Sequence, residues 1–395
     1  MSDNKKRVLV PVTNPLGGIR TYMMYNLKPI CEQGFHFTFL SKEGPTFEAF
    51  QQDVADWPGV DFIRVPKDGS CWKTVHAALK TKRFSLIHSQ GLRAGTEAAL
   101  ANFFAKIPHL ITLHDVIVPQ NDIPGKFKWL KKKISGFFTR RATCIIPVSH
   151  DCAENHLKHF PCWKNGPCKI ETISNGINVK GLLESRDAFR HSGYQNLRQE
   201  HSLPDDVVLG GFFGRFMPQK GFKYLLEALS ELARRGYQDR FRLFATKDHY
   251  GYRNETIRSV AERPEVAPMV RFIEPVADIA PILSQMDVLV MPSLWEACPI
   301  LPMEAMVLGI PVIGSDAIGL REVLNETPSV ATPKENAVAL ADAIESFIHS
   351  SFFEQAKSFE ESARLKFDVK IAVEKLLKMY REYHKCIDSA TTDKH

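Results

Sequence analysis

Two glutamates eight positions apart, Glu296 and Glu304, are the only charged residues between positions 293 and 312. The first follows the predicted strand 287–292, and the second lies inside the helix that comes next. A carboxylate in so apolar a helix costs free energy unless a donor binds it, such as a pair of ribose hydroxyls. The alternative is a helix-capping Glu296 and a Glu304 exposed at the rim. Gly309 and Pro311 then end the helix and begin another strand.

A second candidate site follows the predicted strand 207–213, where Arg215 and Lys220 lie five positions apart beside Gly221. Two fixed cations there could neutralise a diphosphate without a metal ion. A solvated basic loop is the alternative. The first strand ends in Gly17 and Gly18, where free N–H groups and the helix dipole favour an anion, although glycine is also common at such turns for backbone reasons.

A basic segment occupies positions 123–150, which contain no acidic residue. Its seven cations are Lys126, Lys128, Lys131, Lys132, Lys133, Arg140 and Arg141. At 100° per residue, one helical face collects Phe127, Leu130, Ile134, Phe137 and Phe138. Trp129 falls among the lysines, an arrangement that suits a helix lying on anionic lipid. The alternative is a solvated helix that packs through its apolar face.

The composition sets limits on the kind of protein. A chain of 395 residues with 44% hydrophobic and 24% charged residues is too apolar for disorder and long enough for two domains. The net charge of +6 divides unequally, with an excess of cations before position 180 and of acids after it. A basic first half suits nucleic acid, a phosphorylated substrate or an anionic bilayer.

The spacing of the cysteines and the first residues of the chain indicate the cellular compartment that we expect for the protein. The 8 cysteines are scattered without a C-x-x-C pair, which predicts reduced thiols and no structural metal site. The chain runs directly into an apolar strand at position 8, and no uncharged run approaches 18 residues. We therefore expect no signal peptide and no membrane span, and a cytoplasmic location.

Short apolar runs alternate with helix-length segments along the whole chain, a pattern typical of doubly wound α/β domains. The predicted strands are 7–13, 36–41, 61–66, 85–90, 109–115, 143–150 and 169–173, then 207–213, 241–246, 270–274, 287–292, 311–315 and 329–332. We expect an N-terminal domain over 1–180, a linker over 181–205 and a C-terminal domain over 206–366. A last helix over 367–388 should pack back on the N-terminal domain.

Taken together, these motifs resemble glycosyltransferase family 4, the retaining sugar-nucleotide transferases with the GT-B fold. The resemblance spans nearly the whole chain in the family's order. It is carried by Gly17-Gly18, Ser174-Asn175-Gly176-Ile177, Gly214-Arg215, Lys220-Gly221, Glu296, Glu304, Gly309-x-Pro311 and Glu322. It implies an α/β architecture of two Rossmann-like, doubly wound domains that face each other across a cleft.

The resemblance also implies roles for residues of the donor site. Arg215 and Lys220 would hold the donor diphosphate, and the Gly17-Gly18 loop would close over it or over a phosphate on the acceptor. Glu304 would accept hydrogen bonds from the ribose hydroxyls. Glu296 would contact hydroxyls of the donor sugar and take part in catalysis with the two cations.

Two further positions complete the implied donor site. Where many relatives have glycine and a bulky residue after the first glutamate, this chain has Ala297 and Cys298. The N–H of Ala297 keeps the backbone role, while the identity of the donor sugar is left open.

For the acceptor, His114 closes the strand 109–115 and resembles the family's histidine over the reacting sugar. Without the resemblance, a structural histidine fits equally well, and His88 is interpreted as structural or cleft-lining. Arg20 is a candidate ligand for an acceptor phosphate, or else an exposed arginine of the first helical turn.

The sequence thus predicts a retaining glycosyltransferase that moves a hexose or N-acetylhexosamine from a nucleoside-diphosphate sugar, by default UDP-linked. We expect no cofactor and no metal ion, since no D-x-D triplet occurs. The expected acceptor is a lipid-linked or polysaccharide-type glycan of the cell envelope. The enzyme would then work as a peripheral protein at the inner face of the membrane, held to anionic lipid by the basic helix.

Three alternatives remain. The acceptor could be a small soluble phosphorylated molecule. An NAD(P)-dependent oxidoreductase would also use two Rossmann-like halves, but no G-x-G-x-x-G is present. A non-catalytic basic binding module leaves the two glutamates unexplained, because acids repel phosphate backbones. We therefore expect no nucleic-acid partner.

Overall fold

Two parallel β-sheets organise the chain, one in each of two compact units. The computed structural model describes residues 6–120, 122, 125, 127–192, 196–247, 252–350 and 352–392. The first unit runs to Gly176 and resumes at Val369, and the second runs from Ile177 to Asp368.

Within the described residues, the first sheet has seven parallel strands in the order β3-β2-β1-β4-β5-β6-β7. They are β1 (Arg7–Pro11), β2 (His36–Lys42), β3 (Val60–Val65), β4 (Leu86–Gln90), β5 (His109–Leu113), β6 (Cys144–Pro147) and β7 (Lys169–Ile170). Its helices are α1 (Gly18–Glu32), α2 (Pro45–Asp53), α3 (Cys71–Lys80), α4 (Leu92–Ala101), α5 (Lys128–Thr139) and α6 (His150–His159). The strand order reverses between β1 and β4, so loops diverge there and leave a crevice at the carboxyl ends.

The second sheet has six parallel strands in the part of the unit that the structure describes, in the order β10-β9-β8-β11-β12-β13. They are β8 (Val208–Phe212), β9 (Phe241–Thr246), β10 (Val270–Ile273), β11 (Val288–Met291), β12 (Val312–Ser315) and β13 (Val330–Thr332). The helices are α7 (Val179–His191), α8 (Leu197–Glu200), α9 (Phe222–Arg234), α10 (Arg253–Ala261), α11 (Ala280–Leu283), α12 (Leu301–Val307), α13 (Leu320–Leu324), α14 (Ala337–His349) and α15 (Phe353–Lys366). Here the reversal lies between β8 and β11.

The last helix, α16 (Lys370–Thr392), belongs to the first unit. Leu376, Met379, Tyr380 and Tyr383 lie in the same buried cluster as Val8, Val10 and other residues of the first sheet. A side chain on this helix can therefore act on the strands of the first unit, although more than 190 residues separate them along the chain.

The thirteen predicted strands are all present within the described residues, with ends that differ by three residues at most. The prediction of two doubly wound, Rossmann-like sheets is confirmed. Apolar, β-branched runs without polar alternation form strands that are buried on both faces. Such runs therefore predict the strands of a parallel sheet well.

One segment differs from expectation. Residues 181–205, expected as a linker, hold most of α7 and all of α8 within the second unit. Asn178 and Asn196 cap these helices by accepting hydrogen bonds from the N–H groups of Gly181 and Gln199. Leu182 and Leu197 are buried, so a few apolar anchors suffice to pack a segment that is otherwise polar.

Candidate functional site

The candidate donor site lies where the strand order of the second sheet reverses. Strands β8 and β11 are paired there in parallel, with Val288 opposite Gly210. The loop after β8 carries Arg215 and Lys220, and the loop after β11 carries Glu296. Their arrival at one edge of the sheet follows from the topology, because the carboxyl ends of parallel strands share an edge.

Backbone contacts fix these two loops against each other. The N–H of Leu294 donates to the carbonyl of Gln219 at 2.7 Å, and the Gln219 side chain donates to the carbonyl of Trp295 at 2.9 Å. Gly221 has φ of +68°, and a Cβ there would lie 1.8 Å from the carbonyl oxygen of Pro292. Only glycine allows so close an approach in this conformation.

A second glycine supports the loop of Glu296 from its other side. The N–H of Glu296 donates to the carbonyl of Ile318 at 2.9 Å. Gly319 has φ of +76°, and a Cβ there would lie 2.2 Å from the carbonyl oxygen of Glu296. Sequence reasoning missed this glycine, although its place just before the short helix that contains Glu322 is a recognisable signal.

The structure brings Lys220 and Glu296 into direct contact. The Lys220 ammonium donates to Oε1 of Glu296 at 2.6 Å, and the Ser293 hydroxyl donates to the same oxygen at 2.9 Å. Glu296 is 6% exposed, so the ion pair is well shielded from water. An ammonium carries three N–H groups, which leaves Lys220 able to donate to an anion as well.

Arg215 and the residues after Glu296 complete this edge of the site. Arg215 is half-buried, and among the described residues its guanidinium has no ion-pair partner. Ala297 and Cys298 are buried in the loop that leads to α12. An arginine at a loop that already carries a lysine favours a bound anion with several oxygens, such as a diphosphate.

Glu304 lies on α12 and is 8% exposed. Within the described residues its carboxylate has no cation partner. Burial, and secondarily the negative charge of Asp278, raises the pKa of Glu304 to about 7. The Asp278 carboxylate itself accepts hydrogen bonds from the Ser185 hydroxyl and the N–H of Ala280. Glu304 is therefore a buried acceptor that gains from a ligand able to donate to it.

We expect Glu304→Gln to stabilise the ligand-free protein at pH 8 and to weaken donor binding. The pKa of about 7 lies above the ordinary value of 4.5, so unfolded chains release this proton first and stability falls as pH rises from 4.5 to 7. At about 1.36 kcal/mol per pKa unit, the buried charge costs about 3 kcal/mol above pH 7.

Thermal denaturation at pH 5 and pH 8 checks this expectation. The melting temperature of Glu304→Gln should exceed that of the wild type by several degrees at pH 8 and match it at pH 5. Glu361→Gln, at an exposed position of α15, is the control and should change neither value. A Glu304→Gln variant that melts below the wild type at pH 8 would contradict the account.

The first unit has its own cavity, of about 700 Å³, at the carboxyl ends of β1, β4 and β5. Its polar lining includes Asn14, Gln90, His114 and Asp115. The two glycines expected to contact phosphate, Gly17 and Gly18, are exposed at the start of α1, next to the lining residue Ile19. This is the reversal point of the first sheet, the position at which open α/β sheets bind ligands.

His114 is held at the wall of this cavity. Its Nε2 lies 2.8 Å from Oε1 of Gln90, and its ring packs edge-on against Tyr22 with a centroid separation of 4.6 Å. Burial lowers the pKa of His114 to about 3, so the imidazole is neutral at physiological pH. Gln90 was not identified from the sequence as a site residue, although its position at the end of a predicted strand is one at which ligand-binding residues occur.

Arg20 and His88 both have protein partners. The Arg20 guanidinium forms an ion pair with Asp53 on α2, which supplies a structural reason for an arginine at this position without an acceptor phosphate. His88 is fully buried and hydrogen-bonded to Tyr380 and Thr112, in agreement with a structural role.

The basic helix α5 packs in an unexpected orientation. Its inward face consists of small residues, because Ser135, Gly136 and Thr139 are buried. The alternative in which the helix packs through its apolar face is wrong for four of the five residues concerned, which are exposed: Phe127, Leu130, Ile134 and Phe137. Large rings do not fit at this contact, since a Cβ on Gly136 would already lie 2.8 Å from Sγ of Cys162.

The cations of this helix divide into two groups. Lys128, Trp129 and Lys133 are exposed, with the Lys133 ammonium 5.2 Å from the Trp129 ring centroid. Lys132, in contrast, is only 18% exposed and pairs with Asp122 at 2.8 Å, while the exposed Lys128 lies 3.8 Å from the same carboxylate. Lys131 is also exposed and lines the cavity of the first unit. Lys126 lies outside the described residues.

Two negative findings complete the description. Among the described residues, no group of three His, Cys, Asp or Glu side chains has the arrangement of a metal site. Across the same part of the chain, no helix combines the length and the apolar character needed to cross a membrane.

Several known proteins are similar to this chain. TuaC of Bacillus subtilis (strain 168), named for teichuronic acid biosynthesis, is 26% identical over 288 residues, 72% of this chain and 67% of that protein. The O-antigen biosynthesis glycosyltransferase WclY of Escherichia coli is 24% identical over 60% of this chain and 62% of its own length.

Solved structures agree on the fold. Anabaena HepE in complex with UDP aligns with a TM-score of 0.77 at 19% identity, covering 95% of this chain and all of that chain. HepE has also been solved in complex with UDP-glucose. Sucrose-phosphate synthase from Thermosynechococcus elongatus aligns with a TM-score of 0.74 at 19% identity, over 96% of this chain and 100% of its own.

Two family models match the chain, one in each unit. The model described as Glycosyltransferase Family 4 matches residues 16–180, and the model described as Glycosyl transferases group 1 matches residues 208–350. Together they include most of the residues that line the cavity of the first unit and the Lys220–Glu296 pair of the second. This chain therefore belongs to the glycosyltransferases of the GT-B fold.

Proposed function

We propose that this glycosyltransferase transfers a hexose or N-acetylhexosamine from a nucleoside-diphosphate sugar to an envelope glycan, with retention at the anomeric carbon. The observation that carries the donor assignment is the buried contact between Lys220 and Glu296 at the reversal point of the second sheet. Cations suit the diphosphate, and carboxylates suit the hydroxyls of the sugar and ribose. UDP is the default nucleotide, supported by the complexes of HepE.

The reaction breaks the bond between the anomeric carbon and the diphosphate oxygen. An acceptor hydroxyl forms the new bond from the same face, and its proton passes to the departing phosphate. Stabilising the charge on that phosphate is the main catalytic task, and Arg215 and Lys220 would supply it. Two fixed cations make a divalent ion unnecessary, so we propose a metal-independent reaction.

The proposed acceptor is a lipid-linked or polysaccharide-type glycan. The relatives named for teichuronic acid and O-antigen biosynthesis support this class. A small phosphorylated acceptor remains the second candidate, supported by 25% identity to a D-inositol 3-phosphate glycosyltransferase of Segniliparus rotundus. The ion pair between Arg20 and Asp53 favours the glycan, because it already engages the arginine expected to bind an acceptor phosphate.

A panel of sugar nucleotides tests the donor assignment. The purified protein is incubated in EDTA with UDP-, GDP- and ADP-linked hexoses and N-acetylhexosamines, and release of the free nucleotide is measured. We expect slow hydrolysis of at least one donor, and faster release when the correct acceptor is added. Absence of release from every donor, or release that requires a divalent cation, would contradict the proposal.

We further propose that the exposed side of α5, together with the turn that follows α4 at residues 102–105, docks on an anionic bilayer. Its aromatic part consists of Phe103, Phe104 and Phe137, of which Phe104 is 84% exposed. The Arg141 guanidinium lies 4.1 Å from the ring centroid of Phe137. Exposed rings beside Lys128, Trp129 and Lys133 combine the two features of an interfacial helix, apolar insertion and attraction to anionic lipid.

Vesicle flotation checks this docking. We expect binding to vesicles with anionic lipid that weakens as salt rises, and a loss of about tenfold or more in Phe103→Ser/Phe104→Ser. Lys128→Gln/Lys133→Gln should reduce binding too, at about 1 kcal/mol per cation. Leu365→Ser, which changes an apolar residue that is 74% exposed on α15, is the matched control and should bind normally. Binding unaffected by salt and by both double substitutions would disprove the docking.

A further inference from the structure

A chain of buried polar side chains connects α16 with the cavity wall in the first unit. The Tyr380 hydroxyl lies 2.6 Å from Nδ1 of His88, and Nε2 of His88 lies 2.7 Å from the Thr112 hydroxyl. The Thr112 hydroxyl is also 3.5 Å from that of Tyr22, whose ring packs against His114. Apart from His114, these side chains are essentially inaccessible to water.

The direction of these hydrogen bonds follows from what each group can donate. Burial, together with the nearby His114 and His109, lowers the pKa of His88 to about 3, so one ring nitrogen donates and the other accepts. Among the described residues, the Tyr380 hydroxyl has no hydrogen-bond partner other than His88. Its proton must therefore go to Nδ1, because a buried O–H without an acceptor is costly. Nε2 of His88 then carries the proton and donates to Thr112.

Gln90 fixes the proton of His114 independently of the His88 ring, because its own contact with His88 is to the backbone carbonyl. The Gln90 amide nitrogen donates to the backbone carbonyl of His88 at 3.4 Å, which leaves its Oε1 facing His114. That oxygen can only accept, so Nε2 of His114 must carry the proton in their 2.8 Å hydrogen bond. A neutral imidazole with this proton has its lone pair on Nδ1.

We infer that Gln90 is a positioning residue that holds His114 as a neutral imidazole with its proton on Nε2. Nδ1 is then the hydrogen-bond acceptor that His114 offers to a hydroxyl of a bound sugar. The inference rests on the proposed function for the identity of that sugar. The titratable groups near His114 are Tyr22 on α1, His88 on β4 and the adjacent Asp115. The other charged or titratable side chains that line the same cavity are Arg93, Glu97, Asp122, Lys131 and His156.

Long-range ¹H–¹⁵N spectra of the full-length protein with ¹⁵N-labelled histidine report the protonated nitrogen directly. We expect His114 with its proton on Nε2 and without titration between pH 5 and pH 8. In Gln90→Leu this preference should be lost, and kcat should fall about tenfold with a donor KM within about twofold. Tyr380→Phe, which removes a partner of the His88 ring but leaves Gln90 in place, should leave the proton of His114 on Nε2. Tyr383→Phe, a control on the same helix, should change neither readout.

A second variant covers the case in which Gln90→Leu fails to fold. Gln90→Glu keeps an acceptor for the Nε2 proton and adds a negative charge, so His114 should keep that proton and begin to titrate between pH 5 and pH 8. A wild-type His114 protonated on Nδ1, or spectra and kcat unchanged in both Gln90 variants, would overturn the inference. Unchanged turnover in His114→Ala would instead reject the catalytic role of His114 while leaving the spectra valid.

Discussion

Lys220→Ala should lower kcat by about 10²- to 10³-fold, with a smaller change in donor KM. The ammonium would stabilise charge that develops on the departing diphosphate, so its removal raises the barrier more than it weakens ground-state binding. The substitution also leaves Glu296 buried with Ser293 as a remaining partner. Initial rates of nucleotide release over a range of donor concentrations measure both constants.

The matched control is Lys223→Ala, which removes a lysine that is exposed on α9 and pairs with Glu227 at 3.9 Å. It should leave kcat and KM unchanged. Circular dichroism shows whether Lys220→Ala remains folded. Turnover within twofold of the wild type in folded Lys220→Ala would remove Lys220 from the catalytic role.

Gly221→Ala should both destabilise the protein and nearly abolish activity. A left-handed backbone costs a residue with a Cβ about 1 kcal/mol, and a carbonyl oxygen 1.8 Å away forces the loop itself to move. We expect a loss of about 3 kcal/mol or more in unfolding free energy. Because Lys220 is the preceding residue, its contact with Glu296 should be lost as well.

Gly236→Ala distinguishes the cost of a left-handed backbone from the cost of the contact with Pro292. Gly236 also has a positive φ, +88°, but no atom lies within 4 Å of the Cβ position. This variant should lose about 1 kcal/mol and keep wild-type kcat. Equal melting temperatures for the two alanine variants, measured by differential scanning calorimetry, would show that the contact with Pro292 has no energetic importance.

The fold could be predicted well from the sequence because buried parallel strands have a distinctive pattern. Apolar runs such as 109–115 and 287–292 cannot alternate, since helices cover both faces of the sheet. The order of the strands follows from general rules on parallel crossovers, which place loop residues such as Lys220 and Glu296 at one sheet edge.

Contacts between residues that are distant in the sequence could not be predicted from such patterns. The Lys220–Glu296 pair joins positions 76 residues apart, and no periodicity marks it. The influence of Asp278 on Glu304 joins two acids that are 26 positions apart in the sequence. Gly319 is required because the carbonyl oxygens of Glu296 and Ala297, more than 20 positions earlier in the sequence, lie too close for a Cβ. These features depend on tertiary packing, which local patterns do not contain.

The orientation of α5 shows a different limit. A helical wheel correctly groups Phe127, Leu130, Ile134 and Phe137, but it does not say whether that face is buried. The helix instead packs through Ser135, Gly136 and Thr139, where α4 and the side chain of Trp163 approach closely. Shape at the contact decided the outcome, because small residues allow an approach that large rings prevent.

The central claim is that cations at the edge of the second sheet bind a nucleoside diphosphate without a metal ion. Isothermal titration of UDP, GDP and ADP into the wild type and Arg215→Ala, in EDTA, tests it most directly. We expect one of the three to bind saturably, one per chain, and Arg215→Ala to bind it at least about tenfold more weakly, or about 1.4 kcal/mol. Absence of binding by all three, or equal affinity in both proteins, would contradict the claim.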